Sequence, residues 1–319
     1  MLNGKRILLT GGTGSFGQKF TEIILAEYDI DKLIIYSRDE LKQAQMRQRF
    51  SDPRLRFVIG DVRRLQPLLY AMQDALPDIV IHAAAMKRIE ACEANPLEAI
   101  DTNILGARNV AWASRIAGVE RLVTLGSDKG CVPVNLYGAT KLAAEKLVLA
   151  SNSARMRCTA VRYGNVLESR GSVVHTFREQ AQSGILTITD VRMTRFWLTL
   201  VQAVRFVLQT VLPAMRGGEV FVPKLPSMKV IDLAKAVVPG CQHRIVGIGH
   251  GEKLHEMLIA PDEARMVLDC GAYYKILTAL PHAEIAMITL PDGWSYRSDT
   301  NDWWLSGGGV LAMLGECDQ

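Results

Sequence analysis

The segment from Arg6 to Gly17 constrains this chain more than any other. A short apolar run, Arg6–Thr10, passes directly into Gly11-Gly12-Thr13-Gly14-Ser15-Phe16-Gly17, and an amphipathic stretch begins near Ser15. Glycines at 11, 14 and 17 permit a tight turn, let backbone approach a pyrophosphate, and allow the following helix to pack closely on the strand. In a strand–turn–helix setting this spacing predicts a dinucleotide site built from Gly11, Thr13, Gly14, Ser15, Phe16 and Gly17.

The rest of the first half repeats that rhythm. Further strands are expected at Leu33–Tyr36, Arg56–Ile59, Ile79–His82, Leu122–Leu125 and Thr159–Arg162, alternating with helices that begin near Asp39, Arg64, Asn95 and Leu136. Asn95-Pro96 reads as a helix start, with Asn as cap and Pro in the first helical position. Near-continuous apolar strands between helices imply a parallel sheet covered on both faces, a doubly wound α/β fold of the Rossmann kind. Residues 1–165 are expected to form the dinucleotide-binding domain. Beyond Gly164, glycines and prolines punctuate shorter elements without a linker. Residues 166–319 should therefore form a smaller, mainly substrate-binding portion packed on the first, with some segments returning to the sheet. Trp294, Trp303 and Trp304 are expected to anchor the tail that begins at Pro291.

The end of the second strand selects the nicotinamide. An Asp or Glu there would bind a ribose 2′-hydroxyl, but this strand ends Tyr36-Ser37-Arg38, with Lys42 one helical turn on. Arg38 and Lys42 attract a 2′-phosphate and Ser37 can donate to it, so the cofactor is expected to be NADP. By analogy with the fold, Asp61-Val62 should meet the adenine, and Ala83-Ala84-Ala85 should leave backbone room beside the cofactor.

Composition limits the alternatives. The excess of 37 Lys and Arg over 33 Asp and Glu is small and contains no basic run, which argues against a nucleic-acid partner. No apolar run approaches the roughly 18 residues of a membrane span, and the N-terminus enters a strand pattern instead of a signal peptide. The six cysteines are scattered without metal-ligand spacing, so buried free thiols, no metal site and a cytoplasmic location are expected.

Tyr137 and Lys141 stand four residues apart and thus on one helical face. A nearby ammonium favours the phenolate, so Tyr137 can exchange a proton with a substrate hydroxyl while hydride moves to nicotinamide. Just past the fifth strand, Ser127 can orient that hydroxyl. Asp128 and Lys129 follow as an adjacent acid and possible base, the latter expected to need a depressed pKa. Alcohol oxidation alone does not require such a pair, whereas eliminating water from a sugar beside a newly formed ketone does.

With these residues in place, the sequence resembles the UDP-N-acetylglucosamine 4,6-dehydratases, an extended short-chain dehydrogenase/reductase family, and specifically its 5-inverting branch that begins pseudaminic acid synthesis. The resemblance runs over nearly the whole length, through LLTGGTGSFGQKF, IIYSRDELKQ, HAAAMK, SDK, NLYGATKLAAEKL, VRYGNVLESRGSVV, MTRFW, FVPKLPSMKVIDLAKA, GEKLHE and YRSDTNDWWLS. It implies NADP-dependent oxidation at C4 by Tyr137, Lys141 and Ser127. Lys129 would then remove the C5 proton, Asp128 would protonate the departing C6 hydroxyl, and hydride would return to C6. Retaining relatives carry Asp-Glu where this chain has Asp128-Lys129, which implies inversion. The resemblance also implies a UDP-sugar partner, a homo-oligomer, and substrate contacts from Lys87, Asn165, Arg195 and Glu252.

The chain departs from the family pattern in places. Gly126 and Gly130 replace larger residues around Ser127-Asp128-Lys129, and Glu90, Glu168 and His175 replace Pro, Gly and Pro. Two other readings stand beside the dehydratase. A nucleotide-sugar 4-epimerase needs only reversible C4 oxidation, and the Asp128-Lys129 pair speaks against it. A non-catalytic NADP sensor would typically have lost Tyr137 or Lys141, and both are present.

Overall fold

The computed structural model describes residues 2–167, 169–279 and 290–317. Six strands follow the expected order: β1 (Arg6–Thr10), β2 (Lys32–Ser37), β3 (Leu55–Ile59), β4 (Ile79–His82), β5 (Arg121–Leu125) and β6 (Arg157–Val161). They run parallel in the spatial order β3-β2-β1-β4-β5-β6. The order reverses between β1 and β4, and in such sheets a crevice opens there, beyond the carboxyl ends of the strands.

Alternation along the strands feeds two cores. Ile7, Leu9, Leu33, Ile35, Ile79 and Ile81 pack on one face with Phe20 and Ile24 of α1 (Ser15–Glu27). Leu8, Ile34, Val80 and Leu122 pack on the other with side chains from α3 (Leu65–Ala75), α6 (Gly106–Ile116) and α7 (Leu136–Ala150). Between α1 and α3 lies α2 (Glu40–Arg49), and α4 (Ile89–Ala94) and α5 (Pro96–Ile100) precede α6. Both faces of the sheet are therefore covered, which is why these strands read as unbroken apolar runs.

After β6 the chain leaves the sheet and later re-enters it. In order come β7 (Asn165–Val166), β8 (Ile185–Ile188), β9 (Thr194–Leu198), β10 (Glu219–Pro223), β11 (Ser227–Lys229), β12 (Gln242–Ile245), β13 (Met257–Ile259), β14 (Val267–Asp269), β15 (Tyr273–Leu277) and β16 (Tyr296–Arg297). Strand β10 pairs parallel with β6, β15 antiparallel with β10, and β14 antiparallel with β15, giving a nine-stranded sheet. The other strands form small sheets, β11-β9-β7, β12-β8 and β13-β16, beside a third core that includes Phe177, Leu186, Trp197 and Leu233.

Three local expectations need correction. Helix α5 does start at Pro96, but Asn95 does not cap it. The Asn95 amide instead donates 3.0 Å back to the Ala91 carbonyl, closing the preceding helix α4. Of the tail tryptophans, Trp294 packs against Tyr274 and Tyr296, while Trp303 and Trp304 are 55% and 44% exposed. The tail is fixed there by backbone: Ser227 N–H donates to the Trp303 carbonyl and Leu305 N–H to the Ser227 carbonyl, both at 2.8 Å. Strand β11 had an unpaired edge, and pairing it needs no indole. Cys92, Cys131 and Cys158 are buried free thiols as expected, but Cys241 is only partly buried and Cys270 is exposed. Among the described residues no helix is long and apolar enough to cross a membrane.

A buried ion network ties the later segments to the parallel sheet. Arg162, just past β6, donates to both Glu145 oxygens on α7 (2.8 and 2.7 Å) and to both Glu263 oxygens in the turn at Pro261–Met266 (2.8 and 2.9 Å). Burial alone would raise the Glu263 pKa, but the guanidinium outweighs it and holds that carboxyl below its usual range. Replacing Arg162 leaves Glu145 buried without its cation and Glu263 with the Ala260 N–H as its closest remaining donor, so Arg162→Met should destabilise the fold by about 3–5 kcal/mol in urea unfolding. A loss below about 1 kcal/mol would mean that the network is held by packing instead of charge.

Candidate active site

A cleft of about 1230 Å³ opens at the carboxyl ends of β1, β2, β4, β5 and β6. Ligand sites of ordinary size occupy roughly 300–1000 Å³, so this one has room for two ligands side by side. Every residue expected to touch the cofactor lines it: Gly11, Thr13, Gly14, Ser15, Phe16, Gly17, Ser37, Arg38, Lys42, Asp61, Val62, Ala83, Ala84 and Ala85. So do Ser127, Asp128, Lys129, Tyr137, Lys141, Lys87 and Asn165. Arg195 and Glu252 do not.

The glycine turn fits a dinucleotide. Gly11 has φ of 67°, and a Cβ there would lie 2.7 Å from Ala84 Cα, so the loop touches the end of β4 backbone to backbone. A Cβ on Gly17 would lie 2.2 Å from the Gly12 carbonyl. Helix α1 opens at Gly14 with no side-chain cap, leaving its first N–H groups to an anion in the cleft. At the far end, Ser37 Oγ accepts from Gln43 at 3.0 Å, so its own hydrogen remains for a ligand oxygen. Arg38 reaches Asp61 at 3.8 Å, and Lys42 pairs with Asp39 at 2.7 Å. Asp61 itself is gripped by Arg63 at 2.6 and 2.9 Å, which holds its pKa low against the pull of burial.

The reactive groups meet because helix α7 crosses the turn at Asp128–Gly130 without a side chain between them. A Cβ on Gly138 would stand 2.2 Å from the Lys129 carbonyl. Asn135 caps α7, accepting from Gly138 N–H at 2.7 Å, and Ser127 caps the short turn. Gly126 also lies in close contact: a Cβ there would be 2.5 Å from the Val161 carbonyl, so the departure at this position lets β5 and β6 approach more closely. Gly130 has ordinary space around it. Asn103, in the wide helical turn at Asp101–Leu105, braces the site, bonding Met86 N–H at 2.7 Å and Thr140 Oγ1 at 2.9 Å.

Asp128 is 1% exposed. Its Oδ1 accepts from the Ser127 hydroxyl at 2.8 Å and from Lys129 Nζ at 3.1 Å, while Oδ2 has no hydrogen-bond partner. Lys129 also lies 3.3 Å from Glu256 Oε1. Burial would favour a neutral amine here, but Asp128 and Glu256 together outweigh it and lift the Lys129 pKa well above its ordinary value. The expectation of a depressed Lys129 pKa is therefore overturned. Two carboxylates surround the amine where the sequence reading foresaw one.

Tyr137 differs from expectation as well. Burial raises its pKa to about 12, opposed by the charge of Lys129 and by a hydrogen bond with Ser127. Lys141 does share the helical face, but its ammonium bonds the Leu125 carbonyl, and burial lowers its pKa to about 8 with Glu145 only partly opposing. Lys87 donates to the Arg170 carbonyl at 2.9 Å, and desolvation together with Arg88 lowers its pKa. Asn165 Oδ1 is buried without a hydrogen-bond partner in the cleft wall.

Arg195 is buried outside the cleft, donating to the carbonyls of Thr194 (2.7 Å), Lys253 (2.9 Å) and Leu254 (3.1 Å). Glu252 is exposed and accepts from Gly249 N–H at 2.7 Å, closing its own loop. The residue of that segment that reaches Lys129 is Glu256, a lone carboxylate entering the apolar run Met257–Ile259; that apolar run is the signal that could have found it. Tyr163, 9% exposed beside Tyr137, was also missed, although a residue just past β6 is where the end-of-strand rule points. Glu90 and His175 line the cleft, and Glu168 lies outside the described residues.

Comparison with known proteins is consistent with this geometry. Residues 7–278 match the model of a family described as polysaccharide biosynthesis protein. The chain is 46% identical over 331 aligned residues, covering 98% of each, to the UDP-N-acetylglucosamine 4,6-dehydratase (inverting) of Campylobacter jejuni. It is also 42% identical to a UDP-glucose 4-epimerase of Rickettsia canadensis, over 86% of this chain and 84% of that one. The solved structure of Pen from Bacillus thuringiensis superposes with a TM-score of 0.90 at 31% identity, covering 100% of this chain and 99% of that one.

The two lysines on either side of Tyr137 should titrate far apart. In lysine ammonium NMR of the free protein, Lys141 should lose its proton near pH 8, while Lys129 stays charged to higher pH than an ordinary lysine. An ordinary value for Lys141, with Lys141→Met used to assign the signal, would contradict burial as its controlling influence.

Proposed function

We infer the reaction from one premise: this chain belongs to the polysaccharide biosynthesis protein family, whose model spans residues 7–278. It is an enzyme, a hydro-lyase that dehydrates UDP-N-acetylglucosamine across C4 to C6 with inversion at C5. The observation that carries this reading is the Asp128–Lys129 pair, 3.1 Å apart, in the same cleft as Ser127 and Tyr137.

The cofactor we assign is NADP, held by the glycine turn, the uncapped start of α1, and Ser37, Arg38 and Lys42. When bound, the nicotinamide would supply the reversible hydride acceptor that oxidation at C4 and reduction at C6 require. Tyr137 receives the C4 hydroxyl proton, aided by the charge of Lys129, which opposes the effect of burial on the phenol. The resulting ketone acidifies C5–H.

The resting pair holds a carboxylate and an ammonium, the reverse of what elimination needs. One proton transfer along the contact from Lys129 Nζ to Asp128 makes both groups competent: a neutral amine and a carboxylic acid. The amine then takes the C5 proton. The acid protonates the C6 oxygen as the C6–O bond breaks, water leaves, and a C5–C6 double bond forms. The pair is thereby returned to its resting charges. Solvent then supplies a proton to C5 on the opposite face, Tyr137 returns the C4 hydroxyl proton to solvent, and with hydride added at C6 the net change is loss of one water. Lys87 and Asn165 are assigned to the substrate; the buried Asn165 oxygen without a partner is suited to a sugar hydroxyl.

Incubation with UDP-N-acetylglucosamine and NADP in deuterated water should give a 4-keto-6-deoxy product with one deuterium at an inverted C5. The C6 methyl should carry the hydrogen that began on C4. Retained C5 configuration would refute inversion, and a C4 epimer without loss of water would identify an epimerase instead.

Calorimetry should show tighter binding of NADP than of NAD, and Arg38→Asp should reverse or erase that preference. Equal affinities in the unmutated protein would remove the assignment to NADP.

A further inference from the structure

Glu256 stands just before β13 and is 2% exposed. Three cations surround it: Lys129 Nζ at 3.3 Å, Lys253 Nζ at 3.7 Å and Arg195 Nε at 3.7 Å. The last two are committed elsewhere. Lys253 donates to the Cys131 carbonyl at 2.6 Å, and Arg195 to three backbone carbonyls. Neither lies within hydrogen-bond distance of Glu256, whose Oε2 has no hydrogen-bond partner. The backbone of Glu256 is fixed, since its N–H donates to Ser298 Oγ and its carbonyl accepts from Ser298 N–H, both at 2.9 Å. A buried carboxylate held this rigidly, and nearer to Lys129 than to either other cation, is arranged around Lys129.

We propose that Glu256 is the positioning residue for Lys129, fixing the direction in which its amine faces C5 during elimination. This rests on the reaction assigned above. A lysine amine turns freely about its last bond, and its lone pair acts only along one direction. The hydrogen bond to Asp128 on one side and the charge of Glu256, 3.3 Å away, on the other bias that rotation, leaving the remaining direction of Nζ to the cleft that Lys129 lines. When Lys129 hands its proton to Asp128, the Glu256 carboxylate, 3.3 Å away, stays beside the neutral amine and favours an orientation that turns an N–H toward it. Glu256 is not among the residues that line the cleft, so its loss should act on elimination and not on C4 oxidation.

The test is pre-steady-state turnover of UDP-N-acetylglucosamine by wild type, Glu256→Gln and Glu256→Asp, following both product and the absorbance of reduced cofactor. Glu256→Gln keeps the shape and removes the charge. Glu256→Asp keeps the charge, withdraws it by one methylene, and serves if the first variant does not fold. Misaimed by about 1 Å, the amine should lose about a hundredfold in kcat. The KM should stay within about twofold, because no substrate contact is removed. Reduced cofactor should accumulate, since oxidation now outruns elimination; a role in fold stability alone would slow both steps together and give no such signal. Wild-type turnover in Glu256→Asp, or parallel loss of both steps without reduced cofactor, overturns the proposal. Wild-type protein that yields no dehydrated product overturns the assigned reaction and this role with it.

Discussion

Where α7 crosses the turn at Asp128–Gly130, backbone rests on backbone, and the reactive half of the cleft depends on that contact. The absent side chain at Gly138 lets the helix that carries Tyr137 and Lys141 lie against the carbonyl of Lys129. An acid, a base and a phenol from two separate segments thus share one cleft. The glycine turn does the same at the cofactor end, where Gly11 meets Ala84. Both contacts occur at the carboxyl edge of one sheet, so a single plane of parallel strands sets the spacing between the two halves of the site.

Charge in the reactive half is balanced by neighbours instead of by water. Lys129, two carboxylates and the flanking Arg195 and Lys253 form a cluster in which each cation is satisfied by carbonyls or carboxylates. Such a cluster disfavours any change in its total charge. Moving one proton from Lys129 to Asp128 leaves the total untouched, so the acid and the base of the elimination arise without importing or expelling a proton. A simple lowering of the Lys129 pKa would instead have removed the cation nearest to both buried carboxylates.

The sequence made the doubly wound half legible for a physical reason: strands covered on both faces must be apolar throughout, and the glycine turn tolerates few alternatives. The site residues carried by β1 to β5 and α7 were legible because strand ends and helical spacing place them. Beyond β6 the signal weakens. Strands β10, β14 and β15 return to the sheet, two of the three joins being antiparallel, by pairings that no local pattern encodes. The GEKLHE segment shows the limit most plainly. Glu252, more conspicuous in a polar loop, closes its own turn, whereas Glu256 reaches Lys129 because residues 254–259 thread between β9 and β16. Asn95 was misplaced for a related reason: its amide donates to the Ala91 carbonyl, so the side chain serves the preceding helix and does not cap the following one.

The pairing of Glu256 with Ser298 also orders events during synthesis. Ser127, Asp128, Lys129, Tyr137 and Lys141 leave the ribosome together and can fold with the first six strands. The carboxylate that borders Lys129 appears more than a hundred residues later. It is not held until Ser298 has emerged and β16 has docked on β13. A nascent chain would therefore hold its dinucleotide turn long before it held a fully framed elimination site, and the reactive amine would be framed only after Ser298 had been made.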